Sequence, residues 1–309
     1  MKHIFSVFFN IDRTYATLME VKEKGLELKF IDSTRTQIDL ENISSSESVE
    51  GIRELHQMIE QNKDSIESIN VAIPAEIVFV TQFPGASGMS NDELNQLVNL
   101  EIKQAFPQFN SDEFSSNIIP MEPAKDGSSM MMAAIIQREI LDAIKEIFIN
   151  HLPVQNIEVS QLGAHTSFLY NYPENAEKTN IVFGIQEQFI DVSVIKNAKP
   201  AYYNLLSISS PDKIGELFEE EYNKIIANFA DQVDGAYFFG MGLTKEIYFQ
   251  VWETAMAIGI METGRLNAFR MVETTLDQRR RDYCSRMMHV LPPCVGSTIP
   301  AYHQTIPLY

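Results

Sequence analysis

The segment IFSVFFNIDRTYATLMEVKEKGLELKFI, residues 4–31, decides which fold this sequence predicts. It contains three short stretches in which apolar residues run continuously or alternate with polar ones, a pattern that predicts β-strands. Gly25 lies in a charged turn between the second and third stretches, which is typical of a β-hairpin. Apolar residues at helical spacing follow from Val49 to Ile59, and Ile69–Pro74 then predicts another strand. The first part of the chain therefore predicts the order β-β-β-α-β.

The same order of elements returns in the second half of the chain. Three short apolar strands are predicted at 180–185, 189–194 and 201–206, and Ser210-Pro211 marks the start of a helix. The next predicted strand, 236–239, leads into a glycine-rich turn. The two copies begin about 175 residues apart. A duplicated β-β-β-α-β order predicts an α/β protein of the actin-like (ribonuclease H-like) class, whose two lobes close on a nucleotide. We expect the first lobe at 1–155 and the second at 156–309.

The composition limits the classes of partner. The 309 residues include 42 acidic and 24 basic ones, so the net charge is −18 with histidine counted neutral. A field of that sign repels phosphate backbones and anionic lipid headgroups, so we expect neither a nucleic-acid partner nor direct membrane insertion. No apolar run approaches the roughly 20 residues that cross a bilayer. Two cysteines and six isolated histidines predict no metal site and a reducing, cytoplasmic compartment.

Several segments together resemble the type IV pilus assembly protein PilM, which belongs with FtsA to the actin-like ATPase superfamily. The resemblance rests on a strand that ends in Phe83-Pro84, on a helix that a Ser90–Glu93 capping box opens and Pro107 stops, and on Asn267-Ala268-Phe269. It covers most of residues 1–300. The resemblance implies that residues 75–136, approximately, form an extra small subdomain of the first lobe. It also implies a groove beside this subdomain that binds a short segment of a membrane-anchored partner.

We assign the partner contact to Leu94, Leu97 and Val98, which lie on the apolar face of the capped helix. The other interpretation is that these residues only pack the helix on its own sheet. A partner of this kind would recruit a cytoplasmic scaffold to the inner membrane in a pilus or secretion-type assembly. The sequence does not decide whether the scaffold also forms a homo-oligomer.

The resemblance also implies two phosphate-binding loops of the form Asp-x-Gly-Ser/Thr, and the sequence departs from both. In such a loop the glycine lets backbone amides approach the phosphates, the hydroxyl donates to them and the carboxylate holds Mg²⁺. In the first lobe Asn10 replaces the aspartate, Asp12 replaces the glycine, and only Thr14 keeps a hydroxyl. In the second lobe Gly184 stands at the acidic position and Gln186 at the glycine position. Both phosphate loops are therefore degenerate.

Of the loops that the resemblance implies, only the glycine-rich adenosine loop has a counterpart in this sequence, namely Gly240 and Gly242. Any turn from a strand to a helix can use such a pair of glycines. The sequence thus predicts no catalytic residue and no required cofactor, with ATP and Mg²⁺ bound only if the cleft is active. We expect a non-catalytic, PilM-like scaffold. Two alternatives stay open: an active actin-like ATPase or small-molecule kinase, and a divergent actin-like regulator.

Overall fold

A computed structural model of the protein describes residues 2–85 and 88–299. Its first sheet begins with the predicted elements, which are β1 (Lys2–Phe9), β2 (Thr14–Lys22), β3 (Gly25–Ser33), α1 (Ser46–Asn62) and β4 (Ser68–Ile73). β1 lies between β2, to which it is antiparallel, and β4, to which it is parallel. α1 begins where the hydroxyl of Ser45 accepts a hydrogen bond from the amide of Ser48. Its residues Leu55 and Ile59 are buried in the core of this sheet.

A three-stranded sheet and one helix follow, and we call them the extra subdomain. They are β5 (Phe79–Pro84), α2 (Asn91–Ala105), β6 (Phe114–Pro120) and β7 (Met130–Gln137). β7 lies between β5 and β6 and is antiparallel to both. Met131 and Ala133 pack with residues of α2, whereas Met132 and Ala134 join the core of the first sheet. Successive side chains of a strand point to opposite faces, so the unbroken apolar run of β7 reflects burial on both sides.

Two helices and a further strand of the first sheet follow: α3 (Arg138–Phe148), β8 (Val154–Val159) and α4 (Ser160–Asn171). β8 pairs parallel with β4. Eleven of the twelve residues of α4 are buried. Even so, neither α4 nor any other helix of the described residues is long and apolar enough to span a bilayer.

The second sheet repeats the first. Its elements are β9 (Thr179–Ile185), β10 (Phe189–Lys196), β11 (Lys199–Ser207), α5 (Ile214–Asn228), β12 (Gly235–Phe239), α6 (Lys245–Ala257) and β13 (Glu262–Arg265). The strand order is β11-β10-β9-β12-β13, which matches β3-β2-β1-β4-β8 position by position. In both sheets the first strand lies between its antiparallel hairpin partner and a parallel strand. The predicted duplicated α/β fold is confirmed.

After the second sheet the chain returns to the first. Its last described elements are β14 (Glu273–Thr274), α7 (Gln278–Met287) and α8 (Pro292–Gly296). β14 pairs parallel with β3. The hydroxyl of Ser6 donates to the carbonyl of Cys294 at 2.7 Å, and the amide of Asn70 donates to the carbonyl of Ser297 at 2.6 Å. The sequence assigns residues 273–299 to the second lobe, but strand pairing and burial place them on the first sheet. The expected division at 155/156 also falls inside β8.

α4 and α8 cross in direct backbone contact. A Cβ atom on Gly296 would overlap the carbonyl oxygen of Gly163, and one on Gly163 would lie 2.9 Å from the carbonyl oxygen of Pro293. Only glycine allows two helix backbones to approach this closely, because every other residue inserts a Cβ between them.

We expect Gly296→Ala to lower the free energy of unfolding by about 1–3 kcal/mol, because the added methyl group overpacks this crossing. Gly264→Ala is the matched control, since nothing lies within 4 Å of its Cβ position. Its effect should stay within about 0.5 kcal/mol. Urea unfolding curves measure both values. Equal stabilities of the two variants would show that the helices do not touch at Gly296.

Candidate functional site

The first degenerate loop is the tight turn between β1 and β2. Its turn is closed by the amide of Asn10, which donates to the carbonyl of Arg13 at 3.2 Å. The carboxylate of Asp12 accepts hydrogen bonds from the side-chain amide of Asn10 (2.9 Å), the guanidinium of Arg13 (3.0 Å) and the hydroxyl of Tyr15 (2.7 Å). Asp12, which stands where a phosphate loop has glycine, therefore has its hydrogen-bonding capacity used by its own turn.

Thr14, the third residue assigned to this loop, lies inside the protein. Its exposed fraction is 0%, and its backbone amide donates to the hydroxyl of Thr34 at 2.9 Å. The hydroxyl of Thr14 is buried without a hydrogen-bond partner among the described residues. A phosphate could reach this hydroxyl only if the surrounding residues moved.

The second loop and the glycine turn pack on each other. Gly184 is the next-to-last residue of β9. The turn that follows is closed by the amide of Gln186, which donates to the carbonyl of Phe189 at 2.9 Å. The amide of Gly242 donates to the carbonyl of Ile185 at 2.9 Å, and a Cβ on Gly242 would overlap the carbonyl oxygen of Gln186. Gly240 has φ +108°, a conformation that side chains disfavour. Backbone conformation at Gly240 and backbone packing at Gly242 therefore require glycine whether or not a ligand binds.

A tyrosine joins the first loop to the glycine turn. The hydroxyl of Tyr15 donates to Asp12. The same hydroxyl oxygen lies 3.2 Å from the sulfur of Met241, the residue between Gly240 and Gly242 in the sequence. Burial, followed by the charge of Asp12, raises the pKa of Tyr15, so the phenol keeps its proton as a hydrogen-bond donor. The structure therefore brings together the two loops and the glycine turn that the sequence analysis assigned to a nucleotide, and Tyr15 connects the first loop to the turn.

α2 begins as the sequence predicts. The hydroxyl of Ser90 accepts from the amide of Glu93 at 3.3 Å, and the carboxylate of Glu93 accepts from the amide of Ser90 at 2.8 Å. These hydrogen bonds lower the pKa of Glu93.

The assignment of Val98 to a partner contact is wrong. Val98 is 1% exposed and belongs to the core of the extra subdomain, with Phe83 and Ile135. Leu94 and Leu97 are half-buried and pack on the edge of the same core. The apolar face of α2 thus mainly attaches the helix to its own sheet.

An apolar groove lies where the first sheet, the extra subdomain and the second sheet meet. Its volume is about 290 Å³. The walls come from the single turn of 3-10 helix at 75–77 and the residue after it, from the extra subdomain, from α3 and from β11. They include Ile77, Val78, Phe79, Phe106, Ile140 and Leu205. We call this the junction groove.

The extra subdomain is fixed to the second sheet beside the junction groove. The side-chain amide of Gln82 donates to the carbonyl of Tyr203 at 2.6 Å and accepts from its amide at 3.3 Å. The side chain of Gln82 thus pairs with the backbone of β11, which is the edge strand of the second sheet. Lys125 forms an ion pair with Asp231 at 3.1 Å and donates to the carbonyl of Ile226 at 2.9 Å.

Sequence reasoning missed the residues of the junction groove. Phe79 and Phe106 stack edge to face with ring centroids 5.3 Å apart, and Phe114 lies 5.3 Å from Phe106. The concentration of aromatic residues between 79 and 114 is the signal that could have indicated this cluster. Leu205 has no such signal, because only the folded chain brings β11 to the extra subdomain.

Comparison with known proteins supports the fold. No protein-family model and no curated protein matches the sequence. A chain of the PilM–PilN type IV pilus biogenesis complex aligns with a TM-score of 0.72 at 16% identity, over 96% of this chain and 99% of that one. A Bacteroides thetaiotaomicron protein described as having an actin-like ATPase fold and unknown function aligns with a TM-score of 0.54 at 10% identity, over 97% and 96% of the two chains. This chain has the actin-like ATPase fold.

In this PilM-like fold, Val98→Asp should lower the free energy of unfolding by about 3 kcal/mol, because it places a carboxylate in the core of the extra subdomain. Leu100→Asp is the matched control on the same helix, since Leu100 is 54% exposed. Thermal unfolding followed by circular dichroism compares the two variants. If Val98→Asp left the stability unchanged, α2 would not be attached to its sheet through this face.

Proposed function

We propose that this protein is a non-catalytic, cytoplasmic adaptor with an actin-like fold. It binds a short, mainly apolar segment of a membrane-anchored partner in the junction groove, within an assembly of the pilus or secretion type. The observation that carries the proposal is the groove itself. It is lined by partly exposed apolar side chains from separate parts of the chain, including Phe79 and Leu205. The fold likeness to a chain of a complex named for PilM and PilN supports this reading.

The degenerate loops support the non-catalytic half of the proposal. A phosphate loop needs a free carboxylate for Mg²⁺ and open backbone amides for the phosphates. Here Asn10 stands at the position of that carboxylate. The carboxylate of Asp12, which stands at the glycine position, is held by three protein donors. The turn amide of Gln186 donates to Phe189. Glu187 adds an exposed negative charge beside the second loop. An active ATPase or small-molecule kinase would have to replace these contacts before a polyphosphate could bind.

The surface charge agrees with recruitment by a partner rather than by lipid. A net charge of −18 opposes direct adsorption to anionic headgroups. An adaptor of this kind reaches the inner membrane through the segment that it binds.

We expect millimolar Mg-ATP to leave the melting temperature unchanged. A ligand at a hundred times its dissociation constant would stabilise the protein by about 2.7 kcal/mol, which a thermal shift assay detects readily. Asp12→Asn is the matched variant, because it removes the charge and keeps the shape. A Mg²⁺-dependent rise in the melting temperature that Asp12→Asn alters would establish the ATPase or kinase alternative.

Leu205→Asp should weaken binding of the partner segment at least tenfold, because it removes an apolar contact and leaves a charge in the junction groove. Leu100→Asp is the control, since it makes the same change on an exposed position of α2. The probes are synthetic peptides of the cytoplasmic segments of single-span membrane proteins encoded beside this gene. Fluorescence anisotropy measures their affinities. A peptide that binds wild type and both variants equally would place the binding site outside the groove.

A further inference from the structure

Two carboxyl groups near the junction groove have buried oxygens without hydrogen-bond partners. Asp191 on β10 is 1% exposed, and its Oδ1 accepts from the hydroxyl of Tyr203 at 3.1 Å. Its Oδ2 is buried with no partner among the described residues, and so is Oε1 of Glu76. Glu76 lies in the turn at 75–77 and lines the groove. One unpaired oxygen belongs to a strand of the second sheet and the other to the turn after β4, and they are not hydrogen-bonded to each other.

Buried polar atoms in folded proteins are nearly always paired, so an unpaired carboxylate oxygen indicates a missing donor. Burial raises the pKa of Glu76, as expected for a carboxylate that lacks a compensating charge. Burial, followed by the charge of Glu76, raises the pKa of Asp191 to about 8. Burial therefore disfavours a negative charge on both groups unless a cation pairs with it, and of the two only Glu76 lines the groove.

Among the described residues, those that line the junction groove supply no cation to Glu76. The ionisable side chains that line the junction groove are Glu41, from the connection between β3 and α1, and Glu76 itself. Behind them, β10 contributes Asp191 and β11 contributes Tyr203, neither of which is basic. The other walls are apolar or, at Gln137, neutral. A positive charge near Glu76 therefore has to come from whatever lies in the groove.

We propose that Glu76 determines the specificity of the junction groove by pairing with a lysine or arginine of the docked segment. This inference rests on the proposed function, because it requires a peptide in the groove. The occupant is then a short peptide with one basic residue next to apolar ones. The apolar residues fill the space beside Phe79 and Phe106, and the ammonium or guanidinium group donates to the carboxylate of Glu76. Such a charge-assisted hydrogen bond is stronger than a neutral one.

The test begins with a phage-displayed library of random 12-residue peptides selected on the full-length protein. Leu205→Asp protein is used for counter-selection, so that only groove-dependent peptides are kept. A parallel selection uses Glu76→Gln, and a third uses Glu41→Gln. The third is the matched control, because it removes the same charge from an exposed position on the same groove. It separates pairing with Glu76 from the general attraction of basic peptides to a chain of charge −18.

We expect peptides selected on wild type and on Glu41→Gln to share a lysine or arginine at one fixed position between apolar residues. Peptides selected on Glu76→Gln should keep the apolar positions and lose the basic one. Groove-dependent peptides without a fixed basic position on wild type would overturn the inference and leave the proposed function standing. An absence of any groove-dependent peptide would contradict the proposed function itself.

A second measurement tests the role of Glu76 even if the Glu76→Gln protein does not fold. In a synthetic peptide from the wild-type selection, the basic residue is replaced by norleucine, which keeps most of the chain length and removes the charge. Its affinity for wild type should fall tenfold to a hundredfold, as expected for loss of a hydrogen bond to a charged group. Equal binding of the two peptides would overturn the role of Glu76.

Discussion

The architecture depends on the contact between Gly163 of α4 and Gly296 of α8. Both helices are almost wholly buried, and they meet backbone to backbone because neither glycine has a Cβ. α8 also packs on the first sheet with Phe8 and Tyr15, whereas Ala164 and Phe168 of α4 pack with residues of the second sheet. The crossing therefore holds the two copies of the duplicated sheet at a fixed separation. A larger residue at either position would force the helices, and with them the sheets, apart.

This separation explains what has become of the nucleotide elements. With the sheets held close, the turn after β1 reaches the turn after β12, and Tyr15 touches Met241. Within the second lobe, Gly242 lies directly on Ile185 and Gln186. Under the proposed function the ligand-binding residues of these loops are not required, which would allow substitutions such as Asn10 and Gln186.

How much the sequence reveals depends on whether the signal is local. The strands of the two β-β-β-α-β units and the start of α2 were predictable, because alternation and the Ser90–Glu93 capping box lie within a few residues. Val98 was misassigned because an apolar helix face looks the same whether it contacts its own sheet or a partner. The return of residues 273–299 to the first sheet has no local signal, since the pairing of β14 with β3 joins residues about 245 positions apart. The junction groove could not be predicted for the same reason, because the residues of its walls are spread through the sequence from Glu41 to Leu205.

The groove and the nucleotide elements are mechanically linked. One wall of the junction groove is β11, which belongs to the second lobe, and the other walls belong to the first lobe and its extra subdomain. Any opening of the lobes would move Leu205 relative to Phe79 and would strain the pairing of Gln82 with Tyr203. In an ATPase this geometry would let nucleotide control peptide binding. In this chain Tyr15 already joins the two sides through its contact with Met241, which restrains that opening. A partner segment would then be bound constitutively, which suits a permanent structural link more than a regulated one.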